Sequence, residues 1–282
     1  MISPPARLAR RFVAGEDAAS AIAVGKKLKE KGIKATFDLL GEDVLDRDAA
    51  KRSAEANKAL LRAIPADVER NISIKLSMVG LEIAEDFCLE QAAGILDVAR
   101  EVGGFVRVDM EGSKHTQRTL DAFRQLRKTH DNVGIVLQAY LHRTEDDVKE
   151  AIRRGDRIRL CKGAYKESKT VALQSMREIR ASFKRSTHLL LEKGNSAAIA
   201  THDDELIDDT LAFARDQTVA ADRYEFQMLY GLRPRRWTEL VKAGHRFRVY
   251  VPFGTHWFPY FTRRLRERKE NILFVIKSLL FG

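Results

Sequence analysis

The chain has 282 residues, of which 44% are hydrophobic and 32% charged, with a net charge of +10; this is enough apolar material for a substantial core under a well-solvated surface. No apolar stretch is long enough to span a bilayer, and the N-terminal "MISPPARLARRFVAGEDAAS" lacks an apolar h-region, so it makes a poor secretory signal. Two cysteines, Cys88 and Cys161, cannot build a disulfide framework, and a reduced cytoplasmic setting is the simplest reading.

The six prolines are scattered and no Gly/Ser-rich linker breaks the chain, so a single domain over 1–282 is expected. A short helical arm over 1–34 comes first. Short β-prone runs then alternate with amphipathic stretches. The predicted strands are 35–40, 71–77, 105–110, 133–139, 157–162, 196–202, 224–229 and 247–253. Helical stretches fall near 48–63, 85–101, 115–129, 144–154, 170–193, 203–215 and 234–243. Thr144 precedes acidic residues and Pro234 suits a first turn. A last helix opens near Trp257, and the apolar tail "NILFVIKSLLF" predicts a C-terminal helix over 271–282, packed on the barrel in preference to facing a membrane.

Eight strand–helix units in a row predict an α/β fold, a (β/α)8 TIM-type barrel. An open doubly wound sheet would want a glycine-rich turn after its first strand, and "DLLGEDVLD" is not one.

A barrel of this kind gathers its functional residues at the C-terminal ends of its strands. In chain order these ends offer Asp38 with Glu42, Lys75, Asp109 with Met110 and Glu111, and Gln138. Then come Arg159 with Lys162 and Tyr165, Thr201 with His202 and Asp203, Gln227, and Tyr250. Lys75 and Arg159 interrupt apolar strands, where an unpaired charge is costly. A structural ion pair such as Lys75 with Asp109 explains one such charge; polar residues at every strand end favour a site.

Charge is uneven as well. Residues 233–269 hold eleven lysines and arginines against two acidic residues, nearly all of the net excess. Such a region suits an anionic ligand, an anionic membrane surface or nucleic acid, and is otherwise a solvated basic face. On a helix from Trp257, residues Tyr260, Arg263, Arg264 and Glu267 fall on one face at i, i+3, i+4 and i+7. Tilted over the barrel mouth, that stripe makes a guanidinium clamp for a carboxylate or phosphate; outside, it is a wet surface. Periodicity alone leaves both open.

The stretches "FDLLGEDV", "SIKLS", "VRVDMEG", "LQAYL", "RLCKGAY", "IATHD", "FQMLYG" and "RVYVPFG…W…PYFTRRLRER" run in order from Thr36 to near Asn271. In these motifs the chain resembles the proline dehydrogenase family in its short monofunctional bacterial form. The resemblance implies a distorted (β/α)8 barrel with the last helix over its C-terminal mouth, and non-covalent FAD. It implies oxidation of L-proline to Δ1-pyrroline-5-carboxylate, the first step of proline catabolism, with electrons passed to a membrane quinone. It also implies a cytoplasmic protein with peripheral contact on the inner face of the membrane.

Carried over by position, Lys75, Arg263 and Arg264 hold the proline carboxylate. Tyr165, Leu229, Tyr250 and Tyr260 line the ring pocket, and Glu42 pairs with Arg264 to close it. Arg159 sits near flavin N5, Asp109 supports the site and Met110 lies beside the flavin. Gln138, Lys162, Gly163, Ala164, Thr201, His202 and Glu267 contact FAD. Family members carry more helical sequence ahead of the first strand than the roughly 34 residues here.

Three rival readings remain at this stage. A lyase would use Lys75 or Lys162 as a Schiff base. A metal hydrolase would use His202 and Asp203 with His142 and His256, although no His-x-His pair marks a strand end and no metal is expected. A nucleic-acid binder would use residues 233–269, stacking bases on Trp237, Tyr250, Trp257 and Tyr260; it leaves Lys75, Asp109 and Arg159 unexplained and is ranked last.

Overall fold

The strand segments carry an apolar residue at every second position, so one face of each must be buried against helices. In the computed structural model, which describes residues 11–41 and 44–258, those segments form Lys34–Leu39 (β1), Asn71–Ile74 (β2), Phe105–Val108 (β3) and Val133–Gln138 (β4), then Arg157–Cys161 (β5), Asn195–Ala200 (β6), Tyr224–Leu229 (β7) and Phe247–Phe253 (β8). All neighbours are parallel and the order follows the chain, with β8 pairing back onto β1 to close an eight-stranded barrel. The expected (β/α)8 architecture is the one observed.

Eight α-helices are described: Ala18–Lys29 (α1), Arg47–Ala63 (α2), Glu85–Glu101 (α3), Ser113–Leu126 (α4), Thr144–Arg153 (α5), Met176–Lys193 (α6), Asp204–Asp216 (α7) and Pro234–Lys242 (α8). Seven of them follow a strand. The other, α1, precedes β1 and packs on both β8 and β1. This N-terminal helix therefore covers the seam where the barrel closes.

The outward strand residues, among them Phe37, Ile72, Val106, Ile135, Leu160, Ile199, Phe226 and Val249, are buried in one continuous core with the helices. The inward residues are largely polar. Thr36, Asp38, Ser73, Arg107, Arg159, Gln227 and Arg248 are all buried, so the barrel axis carries hydrogen bonds where many barrels carry branched aliphatic side chains. Pro252 is tolerated within β8 because it lies beyond the last β7 partner, Leu229 opposite Tyr250.

Several predicted boundaries differ from the structure: the third strand ends at Val108 rather than residue 110, the sixth at Ala200 rather than 202, and the helix expected over 115–129 runs Ser113–Leu126; two further differences have a local cause. The second strand stops at Ile74 rather than residue 77. Leu76–Val79 turn as a 3-10 helix that ends at Gly80 with φ +110°, a left-handed conformation that glycine adopts cheaply. The sixth helix starts at Met176 rather than near 170. Ser175 caps it reciprocally: its Oγ accepts from the Glu178 amide and donates to the Glu178 carboxylate at 2.5 Å. The preceding segment is held in an extended shape by a bridge between Leu141 and Ala172. At the other end Trp257 and Phe258 take helical backbone. The remainder of the predicted mouth helix and the 271–282 helix lie outside the described residues.

Candidate active site

Asp109, one residue past the end of β3, is the hub of the barrel mouth. Its Oδ1 accepts from Arg159 Nη1 of β5 at 2.8 Å, and its Oδ2 accepts from the Tyr250 hydroxyl of β8 at 2.7 Å. The Arg159 guanidinium also lies 5.3 Å from the centre of the Tyr250 ring, a cation–π distance. Beneath it, Ser73 Oγ of β2 accepts from both Nη1 and Nη2 of Arg159 at 3.2 Å, and stands 3.3 Å from Thr36 Oγ1. Arg159 Nε is buried with no hydrogen-bond partner among the described residues. Three strands thus fix one arginine, one carboxylate and one tyrosine in a single constellation.

Lys75 caps the 3-10 turn and reaches across to β1. Its ammonium donates to Asp38 Oδ1 at 2.6 Å and lies 4.0 Å from Asp109 Oδ2. Among the described residues the carboxylate closest to Lys75 is therefore Asp38, not the Asp109 that the sequence suggests. Burial disfavours the Lys75 charge, but Asp38 and Asp109 outweigh it and hold its pKa well above the usual lysine range. Asp38 is 1% exposed. Burial pushes its pKa up, Lys75 opposes that, and Asp109 adds to it.

The remaining strand ends form a second, adjoining group. Gln138 closes β4, with its side-chain amide donating to the Glu111 carbonyl at 2.9 Å. The Glu111 carboxylate is taken up by the Ser77 amide at 3.1 Å and hydroxyl at 2.5 Å, which fixes the backbone of the buried Met110. Lys162 donates to Asp203, which also accepts from Arg180 Nε at 2.9 Å. Burial raises the Asp203 pKa, but the bonds from Arg180 and Lys162 outweigh it and leave the carboxylate below its usual range. Thr201 Oγ1 accepts from the Asp203 amide at 3.2 Å, and His202 Nε2 accepts from the Leu229 amide at 2.9 Å.

Gly163 follows Lys162 with φ +114°, and a Cβ there would stand 2.2 Å from the Tyr140 ring, so the bare backbone is required. Ala164 and Tyr165 come next, both half-buried. Their loop is latched across the mouth by Glu167, which accepts from the Ser113 amide at 2.7 Å and hydroxyl at 2.5 Å.

A sequence model described as proline dehydrogenase matches residues 21–277. The chain belongs to the proline dehydrogenase family. It is 42% identical over 273 residues to proline dehydrogenase 1 of Bacillus subtilis subsp. natto, covering 96% of this chain and 90% of that protein. It is 38% identical over 284 residues to the proline dehydrogenase of Deinococcus radiodurans, covering 98% and 91%. Among solved structures it is similar to proline utilization A from Bdellovibrio bacteriovorus inactivated by N-propargylglycine, with a TM-score of 0.85 and 25% identity. That match covers 92% of this chain and 32% of the other, so this chain spans about a third of that longer protein.

Within this family member the described residues bring together Lys75, Asp109, Arg159 and Tyr250 through direct contacts. They place Leu229 opposite Tyr250 in register and Tyr165 against the bare backbone of Gly112. Glu42, Tyr260, Arg263, Arg264 and Glu267 lie outside the described residues. The sequence reading passed over Ser73 and left Asp38 without a role. Both lie in strands where polar residues recur at every second position: Thr36 and Asp38, Ser73 and Lys75, Arg107 and Asp109.

The rival readings lose their footing here. A Schiff-base lysine needs a lowered pKa, the opposite of Lys75, and Lys162 is engaged by Asp203. His202 Nε2 accepts the Leu229 amide, and no cluster fit for a metal occurs among the described residues. Trp237 is buried and Tyr250 points at Asp109 inside the barrel, so neither presents a face to a base.

Proposed function

We propose that this chain oxidises L-proline to Δ1-pyrroline-5-carboxylate using non-covalently bound FAD, and that a membrane quinone is the electron acceptor. Membership of the proline dehydrogenase family sets the reaction class. The observation that carries the finer reading is the Asp109 hub, which ties Arg159 and Tyr250 together beside the Lys75 ammonium at one end of the barrel.

The residues present fit a flavin nucleotide. Arg159 keeps a buried Nε that no described residue satisfies, and a buried donor of this kind calls for an acceptor. Gly163 leaves the backbone bare where any side chain would collide with Tyr140. Met110, Gln138, Lys162, Ala164, Thr201 and His202 follow or close their strands at the same end of the barrel and would hold the cofactor, with Glu267 from outside the described residues. When bound, FAD supplies the acceptor for the hydride and its electron pair.

The chain's own residues do the rest. Lys75, with Arg263 and Arg264, binds the substrate carboxylate through charge-assisted bonds. Tyr165, Leu229, Tyr250 and Tyr260 enclose an apolar five-membered ring, and Glu42 pairs with Arg264 as the site closes. Holding the ring in one orientation converts an encounter into a positioned reaction. Arg159, fixed by Asp109 and Ser73, would place a positive charge beside the bound cofactor, the side of the transfer that gains the electron pair. The amine reacts in its neutral form, with its proton released to solvent. No described helix is long and apolar enough to cross a membrane; a quinone acceptor dissolved in the bilayer calls for peripheral contact with the inner face of the cytoplasmic membrane.

The test is a visible spectrum of the purified protein before and after L-proline without oxygen. A flavin band that bleaches on addition is the expected result. A protein that carries no flavin, and gains no proline-oxidising activity when FAD is added, overturns the reading.

A further inference from the structure

We propose that Asp38 is a positioning residue for catalysis: its carboxylate anchors the Lys75 ammonium at the barrel mouth in the place where it meets the substrate carboxylate. The inference rests on the reading of Lys75 as a carboxylate ligand and adds what makes that lysine competent.

The geometry is specific. Asp38 stands opposite Ser73 across the β1–β2 ladder, and Lys75 lies two residues further along on the same inward side. Lys75 leaves the ladder at the 3-10 turn, so its long side chain has no strand neighbour to orient it. The bond to Asp38 Oδ1 at 2.6 Å supplies the orientation. Asp38 Oδ2 is buried and has no hydrogen-bond partner at ordinary distance among the described residues, Tyr250 being the other donor that acts on this carboxylate. A buried, half-satisfied carboxylate costs stability, and packing alone does not account for it; anchoring a cation beside a substrate anion does.

Among the described residues, the other charged and titratable groups facing Lys75 are Asp109 and Glu111 after β3, with Arg159 and Tyr250 both bonded to Asp109. Asp109 is 4.0 Å away and shared between those two, so it cannot replace Asp38 as the partner in contact. With Asp38 neutral, burial would act on the ammonium with its nearest counter-charge gone, and the lysine would shed its proton at a lower pH.

The test uses cyclopentanecarboxylate, a ring acid with no amine of its own to titrate, bound to the flavin-loaded enzyme and followed by calorimetry from about pH 7 to about pH 10, between the carboxylate and arginine ranges. Arginines stay charged across this window, so a fall in affinity reports the lysine once the wild type corrects for tyrosine. Wild-type affinity is expected to stay level, whereas Asp38→Asn should lose about tenfold per pH unit above its new lysine pKa. Asp38→Glu, which restores the charge, should recover most of the level profile.

An Asp38→Asn profile parallel to wild type overturns the proposal. So does a wild-type profile that already falls about tenfold per pH unit below about pH 9, under the ordinary tyrosine range, a measurement that needs no variant to fold. Lys75→Met separates the two layers of inference. If it binds the acid as well as wild type, the carboxylate role of Lys75 fails and the proposal goes with it. If Lys75→Met binds weakly while Asp38→Asn stays level, the Asp38 proposal alone is lost.

Discussion

The hydroxyl of Tyr250 donates a 2.7 Å hydrogen bond to Asp109, joining residues 141 positions apart. The same carboxylate holds Arg159 through its other oxygen at 2.8 Å. One side chain therefore sets both the aromatic wall and the cation that the proposed hydride transfer requires. Tyr250→Phe keeps the ring and removes the bond. A hydrogen bond to a charged group contributes about 1.5–3 kcal/mol, so kcat/KM for proline should fall about 10- to 100-fold if the bond is needed in the transition state. Steady-state kinetics on the purified variant measure this, and an unchanged kcat/KM removes Tyr250 from the catalytic geometry.

Asp109→Ala makes a different kind of change, because it leaves Arg159 buried at 5% exposure with Ser73 as a neutral partner. Breaking a buried pair by removing one member typically costs about 3–5 kcal/mol. For a domain of this size that corresponds to a melting temperature lower by roughly 10 °C. Asp109→Asn preserves the shape and one acceptor and should lose less. Thermal unfolding of both variants checks the order, and equal melting temperatures for Asp109→Ala and wild type would contradict it.

Gly163→Ala should damage cofactor retention as well as stability. The residue sits at φ +114°, and the added methyl would stand 2.2 Å from the Tyr140 ring. Backbone strain and overpacking each cost about 1–3 kcal/mol, and Tyr140 is buried with little room to move. The chain is expected to relax by shifting the Lys162–Tyr165 turn away from the mouth. The flavin-to-protein ratio and the melting temperature should both drop; a fully flavinated, equally stable variant would show that the turn does not border the cofactor.

Much of this architecture is legible in the sequence because the strands announce themselves by alternation. Val106, Arg107, Val108 and Asp109 read apolar-polar-apolar-polar, the pattern of a strand with one face packed on apolar neighbours and the other on polar ones. The partners of the charged residues are not legible in the same way. Lys75 takes Asp38 rather than Asp109 because barrel closure sets Asp38 beside Ser73, a register decided by all the strands together. The start of α6 is hidden for a local reason, since the run before Ser175 has a helix-like composition that the Ser175–Glu178 capping box and the Leu141–Ala172 bridge override. The arginine stripe at 263–264 lies outside the described residues, so its place over the mouth remains part of the proposal.

The opposite end of the barrel carries a pH-sensitive pair. Glu225 of β7 accepts from Arg248 Nε of β8 at 2.7 Å and from Gln227 Nε2 at 2.5 Å, and Arg248 also reaches Glu69 at 2.7 Å. Burial alone would raise the Glu225 pKa, but Arg248, with Gln227 and Arg107, outweighs it and pulls the value from 4.5 down to about 2. A depressed carboxylate pKa means that the unfolded chain binds the proton more readily than the folded one. The stabilisation is therefore complete above the unfolded value and is lost as pH falls toward the folded one. A shift of that size corresponds to about 3 kcal/mol. Wild-type stability should drop between about pH 4.5 and pH 2, where Glu225→Gln, already lacking the charge, should show a shallower decline from a lower starting point. Denaturant unfolding at a series of pH values measures both slopes. If the two decline in parallel, Glu225 is not the titrating group and the acid sensitivity of the fold lies elsewhere.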